Sequence, residues 1–266
     1  MPPRRALAIL TRVPDKRLDS TVAIVTGASS GIGEATALAL AAEGATVAIV
    51  ARRADRLEGL ASRISDSGPE PIVIAADLTD PAQPQRVVDE VVQRAGRLDV
   101  LVNNAGVMLL GPIVGAPLEE WEQMIDINVR ALLRCAHAAL PHLLQAAEQG
   151  PRKVADMVNI SSTAGRVANN GSGVYNLTKF GIGAFSESLR QEVTRRHVRI
   201  GLIEPGAVAT ELASHNRPEI RELIARRFDI ERLQSEHIAD AIVYMVTRPR
   251  SVAINEMLIR PTEQER

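Results

Sequence analysis

Tyr175-Asn176-Leu177-Thr178-Lys179 sets a phenol and an ammonium four residues apart, a spacing that puts both on one face of a helix. A phenol with an ordinary pKa of about 10 is a poor proton shuttle at neutral pH, but a fixed positive charge beside it stabilises phenolate and lowers that pKa. Tyr–Lys pairs also decorate helix surfaces, so the pattern alone proves little; with only 2 tyrosines in the chain, chance placement is less comfortable. Upstream, Asn159-Ile160-Ser161-Ser162-Thr163-Ala164-Gly165 offers a hydroxyl for a substrate oxygen. Ser162 is the candidate and Ser161 its competitor, because alternation along a strand lets only one of them face a site. Asn128 lies on an apolar stripe of Leu118, Trp121, Ile125, Val129, Leu132 and Ala136. A buried amide there is either a satisfied structural group or part of a proton or water relay.

A second constellation sits near the start. Thr26-Gly27-Ala28-Ser29-Ser30-Gly31-Ile32-Gly33 follows a β-branched run and opens a helical one. Glycines let the backbone approach a pyrophosphate, and the free N–H groups at the start of the following helix attract the anion. Gly27, Ser29, Ser30, Gly31, Ile32 and Gly33 are therefore the expected phosphate cradle, although a tight strand-to-helix turn looks similar. The next strand ends in Ala51-Arg52-Arg53, with no carboxylate before Asp55. In dinucleotide sites an acid at this place holds the ribose 2′-hydroxyl and an arginine accommodates a 2′-phosphate, so Arg52 and Arg53 favour NADP(H) over NAD(H). The alternative, a solvated pair at a helix start, is disfavoured by the helix dipole. Asp77 could accept from an adenine amino group or cap the next helix, a task for which Asp80 is better placed. Asn103-Asn104-Ala105-Gly106 combines two amides with small residues that leave room for a ribose.

These groups need a scaffold that brings them together. Strand-like runs at 22–26, 45–51, 71–76, 100–103, 155–161, 199–203 and 253–259 alternate with helical periods at about 32–43, 53–65, 81–95, 117–148, 173–196 and 235–247, with Gly44 and Gly96 as stops. Most strands are apolar throughout, as suits a parallel sheet covered on both faces. The expected fold is α/β: a single doubly wound Rossmann-type domain over 21–266, with a seven-stranded parallel sheet and helices on both faces. Ligands collect at the carboxyl ends of such strands, so Gly27, Asn103, Ser162 and Pro205 should converge on one crevice. The charged 207–234 stretch is expected to form a flap over it.

Composition narrows the function classes. The 31 Lys+Arg against 32 Asp+Glu give a net charge of −1, which speaks against nucleic acid as a partner. The lone Cys135 excludes an intramolecular disulfide, has no neighbours at metal-ligand spacing, and points to the reducing cytoplasm. No metal site and no membrane span is expected. Residues 1–20, with Arg4, Arg5, Arg12, Lys16 and Arg17 around a short apolar patch, are expected to be a flexible extension. Aromatics make up 2% of the chain, which favours an aliphatic or polar ligand over a large planar ring.

With TGASSGIG, NNAG, Asn128, Ser162, YNLTK and PGAVAT at 205–210 in this order, the chain resembles the short-chain dehydrogenase/reductase family over about residues 20–260. The resemblance implies a catalytic tetrad of Asn128, Ser162, Tyr175 and Lys179, with Tyr175 moving the proton and Lys179 also holding the nicotinamide ribose. It implies contacts from Pro205, Gly206, Val208 and Thr210 to the nicotinamide end and from Asp77 and Leu78 to the adenine. Arg52 and Arg53 look like the family's NADP-preferring pattern, although Ser30 stands where some NADP members carry a basic residue. VMLLGPI at 107–113, AFSESLRQEV at 184–193 and IRPTEQ at 259–264 resemble the clavulanate dehydrogenase and serine (3-hydroxy acid) dehydrogenase branch. The resemblance further implies a homo-oligomer, a tetramer or dimer, built through the helices at 117–148 and 173–196. The expected activity is hydride transfer between nicotinamide and a small carbonyl or alcohol. The competing expectation is a non-catalytic dinucleotide sensor or scaffold on the same fold.

Overall fold

Runs such as Val22–Thr26 and Thr46–Ala51 have no polar face, and both are buried almost throughout in the computed structural model, which describes residues 16–227 and 230–265. In chain order the elements are β1 (Val22–Thr26), α1 (Gly31–Ala42), β2 (Thr46–Ala51), α2 (Ala54–Ser65), β3 (Ile72–Ala75), α3 (Gln83–Ala95), β4 (Val100–Asn103) and α4 (Leu118–Met124). Then follow a π-helical stretch (Ile125–Ala131), α5 (Leu132–Gln149), β5 (Ala155–Ile160), α6 (Gly173–Val193), β6 (Val198–Pro205), α7 (Pro218–Arg227), α8 (Ser235–Val246) and β7 (Glu256–Ile259). The strands form one parallel seven-stranded sheet in the order β3-β2-β1-β4-β5-β6-β7.

Strand alternation feeds two cores. Val22, Ile24, Ala48 and Val50 point into the layer with Val87 and Val91 of α3, Ala139 and Leu143 of α5, and Leu189 of α6. Ala23, Val25, Val47 and Ile49 point the other way, onto Leu40 of α1, Leu57 and Leu60 of α2, and Ile238 and Ile242 of α8. With aliphatic side chains on both surfaces, neither face of the sheet could meet water without exposing them, and helix crossovers on both faces are the solution.

Four expectations change. The helix expected at 117–148 is interrupted by the π-helical stretch, whose i→i+5 bonding breaks the 3.6-residue period. Burial accordingly runs through Met124, Asn128 and Ala131 before reaching Leu132 and Ala136, while Leu118 of the expected stripe is 64% exposed. Residues 16–20 are not a loose extension. Leu18 is fully buried, its amide donates to the Glu43 carbonyl, and Arg17 pairs with Glu43. The remainder of the expected extension, residues 1–15, lies outside the described residues. The strand expected at 253–259 shortens to Glu256–Ile259, and that expected at 199–203 lengthens to Val198–Pro205. Gly44 and Gly96 do end their helices, with φ of +99° and +75°.

The described residues of the 207–234 segment are partly helical. The segment comprises a 3₁₀ turn (Glu211–His215) and α7, and returns through a bridge between Val208 and Leu233. Buried Asn216 ties it to the loop after β4. Its Oδ1 accepts from the Leu110 amide at 2.7 Å, and its Nδ2 donates to the Met108 carbonyl at 2.8 Å. Asn216→Ala strands both backbone groups. We expect a loss of about 1–3 kcal/mol, read as a lower urea midpoint at unchanged slope. An unaltered midpoint would show that the segment is held elsewhere.

Candidate active site

The sheet order reverses between β2-β1 and β4, and at the carboxyl ends of these strands opens a cavity of about 1240 Å³. Its floor is the glycine turn. Gly27 adopts φ +67°, and a Cβ there would lie 2.8 Å from the Ala105 Cα. A methyl at Gly33 would collide with the Gly27 carbonyl and the Asn104 amide, so both positions require glycine for close backbone packing. Asn104 fastens the turn by donating to the Thr26 carbonyl at 2.9 Å, while Thr26 Oγ1 accepts from the amides of Asn104 and Ala105. Ser30 is the N-cap of α1, but its hydroxyl makes no capping bond to the first-turn amides of the helix that faces this floor.

The two arginines after β2 behave differently. Arg53 folds over the turn, with Nε on Ser29 Oγ at 3.1 Å and Nη2 on Ser30 Oγ at 2.8 Å, and its Nη1 meets Glu211 at 2.9 Å. Arg52 lies at the rim beside Asp77. Burial raises the Asp77 carboxyl, but the Thr79 amide and hydroxyl and the Arg52 charge more than offset it and hold the group below its ordinary value. Asp77 thus closes its own loop, and the helix-start contact falls to Asp80, whose Oδ1 accepts from Ala82 N at 3.0 Å.

At the opposite end, the first turn of α6 carries Tyr175 and the next turn Lys179, both buried and both on the cavity wall. Lys179 Nζ lies 5.8 Å from the Tyr175 ring centre and donates to the Ile160 carbonyl at 2.8 Å. The two serines that follow β5 have different partners. Both serines line the cavity, but Ser161 donates to the Lys179 carbonyl, whereas Ser162 accepts from the Ala164 amide and acts on the Tyr175 phenol, whose pKa it lowers. The expected depression of the phenol is not found among protein groups. Burial pushes Tyr175 up to about 12 against the opposing Ser162 bond, and burial pushes Lys179 down to about 8.

Most expected contacts reach the cavity, including Ser29, Ser30, Gly31, Ile32, Leu78, Ala105, Gly106, Pro205, Gly206, Val208 and Thr210. Three do not. Gly33 packs beneath the turn. Asn103 points away, donating to Asn159 Oδ1 at 2.9 Å, because the residue beside it along the chain, Asn104, is the one turned to the glycine loop. Asn128 Oδ1 accepts from Val107 N and its Nδ2 donates to Val107 O and Thr178 Oγ1, which ties the loop after β4 to the turn of α6 between Tyr175 and Lys179. Sequence reading overlooked Gln264, whose Oε1 accepts from the Ala207 amide at 2.8 Å, and Asn176, which pins the 164–169 loop through the Ala164 and Val167 carbonyls. Gln264 lies in the IRPTEQ stretch, where nothing local marks it as a partner of the Ala207 backbone. Asn176 stood in plain view inside the Tyr–Lys motif.

Comparison with known proteins follows the same lines. The family model described as short chain dehydrogenase matches residues 21–221. The chain is 36% identical over 256 residues to the glycine betaine reductase ATRR of Emericella nidulans, covering 96% of this chain but only 20% of that much longer protein. It is 32% identical over 244 residues to an uncharacterized oxidoreductase of Staphylococcus aureus (strain USA300), covering 92% of this chain and 98% of the relative. Among solved structures, the closed form of serine dehydrogenase complexed with NADP+ superposes with a TM-score of 0.83 at 30% identity, covering 92% of this chain and 97% of that one. An alcohol dehydrogenase from the archaeon Thermococcus sibiricus complexed with 5-hydroxy-NADP gives 0.81 at 28% identity, over 92% and 98% of the two chains.

Proposed function

The chain belongs to the short chain dehydrogenase family, and from that premise we propose that it is an NADP(H)-dependent enzyme interconverting a small aliphatic or polar carbonyl compound and its alcohol. The observation that carries this reading is the presence of Tyr175, Lys179 and Ser162 in the same cavity as the glycine turn. The turn suits a pyrophosphate, since its backbone is bare where a Cβ would intrude and the helix N-terminus beneath it favours an anion. Arg52 and Arg53, with the Ser29 and Ser30 hydroxyls, suit a 2′-phosphate; NADP+ in serine dehydrogenase and 5-hydroxy-NADP in the archaeal enzyme support that choice.

When bound, the nicotinamide supplies or accepts the hydride. Ser162 holds the substrate oxygen, and Tyr175 gives that oxygen a proton in reduction or takes it in oxidation. A phenol held near 12 by burial is protonated at neutral pH, which favours its role as donor to a developing alkoxide. Lys179 offsets the charge left on the phenolate and is positioned by the Ile160 carbonyl. Asn128 acts through the Val107 backbone and Thr178 as a positioning residue.

The substrate end is walled by Met108, Leu110, Val167, Ile220 and Ile224, with Tyr175 the sole Phe, Tyr or Trp among the described lining residues, which supports a small aliphatic substrate. Self-association as a tetramer or dimer belongs to the same reading, supported by exposed Leu133 on α5 and Leu177 and Phe180 on α6. A panel of aldehydes, ketones and short alcohols offered with NADPH and NADH tests the activity. Turnover of one class supports it, and tight cofactor binding without turnover of any would replace it with the dinucleotide-sensor reading. Arg52→Asp puts a carboxylate where the phosphate is expected, and the ratio of kcat/KM with NADPH to that with NADH should fall by about tenfold or more. An unchanged ratio would refute the arginine's role.

A further inference from the structure

The paired arginines look equivalent in sequence and are not equivalent in the structure. Arg52 stands in the field of Asp77, whereas Arg53 has a hydrogen bond on each of its three nitrogens: Nε and Nη2 on the serines of the glycine turn, Nη1 on Glu211. The second Glu211 oxygen meets Arg56 Nη1 of α2 at 3.1 Å. One carboxylate therefore bridges two guanidiniums at the place where an anion is expected. Glu211 arrives from the other side of the cleft, as the first residue of the 3₁₀ turn that Thr210 caps through its hydroxyl. That turn leads directly into Asn216, the anchor of the 207–234 segment on the loop after β4.

We propose that Glu211 is a cofactor-specificity residue: its carboxylate competes with the 2′-phosphate for Arg53 and Arg56, so that the phosphorylated nucleotide binds by exchanging one anion for another. The proposal rests on the NADP(H) reading above and deepens it. A guanidinium gives its best hydrogen bonds to one anion at a time in a given direction, and a carboxylate already on Nη1 lowers the gain from bringing in a phosphate. The Arg53–Glu211 pair is about four-tenths exposed at both ends, 41% and 42%, so the exchange is weighted by a solvent-screened ion pair and should be modest and reversible. The serines at the turn stay bonded to Arg53 through Nε and Nη2 and keep the guanidinium in place while Nη1 changes partner.

The test uses nucleotides without nicotinamide, so that catalysis plays no part. Calorimetric titration of the full chain with 2′,5′-ADP and with 5′-ADP compares the wild type with Glu211→Gln, which keeps size and hydrogen bonding but removes the charge, and with Glu211→Ala as a second variant; circular dichroism checks the fold of each. Both variants are expected to bind 2′,5′-ADP about two- to fivefold more tightly while 5′-ADP is unchanged. A wild-type preference for 2′,5′-ADP with no gain in either variant overturns the Glu211 proposal alone. Weaker binding of both nucleotides also overturns it, since Glu211 would then be a clamp over the nucleotide. Equal binding of the two nucleotides by the wild type overturns the 2′-phosphate reading itself, and the proposal with it.

Discussion

Tyr175→Phe is expected to lower kcat by about 10²- to 10⁴-fold, the range that a positioned general acid supplies, while the Kd for NADPH stays within about twofold, a change of less than about 0.5 kcal/mol. The substitution is close to a pure deletion of one hydroxyl. The ring is buried against Val107, Leu109 and Met124, and phenylalanine fills the same volume, so the first turn of α6 and the Lys179 contact to the Ile160 carbonyl should stand. The lost group is the phenol that meets Ser162, the only tyrosine on the cavity wall among the described residues. Stopped-flow or steady-state nicotinamide absorbance gives kcat, and fluorescence titration gives the cofactor Kd. Near-normal turnover would remove Tyr175 from the chemistry. A fall in kcat matched by an equal loss of cofactor affinity would instead assign it to binding.

The site is unevenly legible in the sequence, for physical reasons. Runs such as Val22–Thr26 were legible because a strand covered on both faces has to be apolar throughout, and the glycine turn because Gly27 and Gly33 are demanded by backbone approaches that any side chain would block. The 3.6-residue period expected over 117–148 does not hold across the π-helical stretch, a local change in bonding that composition does not announce. Asn103 and Asn104 are identical in type, and only strand alternation at the end of β4 decides that Asn104 serves the turn while Asn103 joins Asn159. The Glu211 pair with Arg53 and the Gln264 bond to Ala207 N join distant parts of the chain, and nothing local in the sequence couples such partners. The phenol's acidity is hidden from the sequence for a related reason. Spacing revealed the lysine nearby but not the depth of burial, and burial is the larger influence on both groups.

That burial gives the pH dependence of the proposed reaction a definite sign. Lys179, pushed down to about 8, is charged below that pH and neutral above it, while Tyr175, pushed up to about 12, remains protonated across the same span. Reduction needs the phenol protonated at the start and a cation near it as phenolate develops. Both conditions hold below about 8 and the second fails above it, so kcat/KM for carbonyl reduction should be level at lower pH and decline through the Lys179 ionisation. A unit charge 5.8 Å from the ring centre, in a medium of effective dielectric about 20, is worth roughly 3 kcal/mol, or about 10²-fold in rate. Lys179→Ala should therefore lose about that factor below the limb and show no limb at about 8. Lys179→Arg, whose charge persists to far higher pH, should also lose the limb even if its rate is reduced by imperfect fit. A limb that persists unmoved in both variants would assign the titration to another group, and activity rising through 8 in the wild type would mean that the ammonium opposes the proton transfer instead of supporting it.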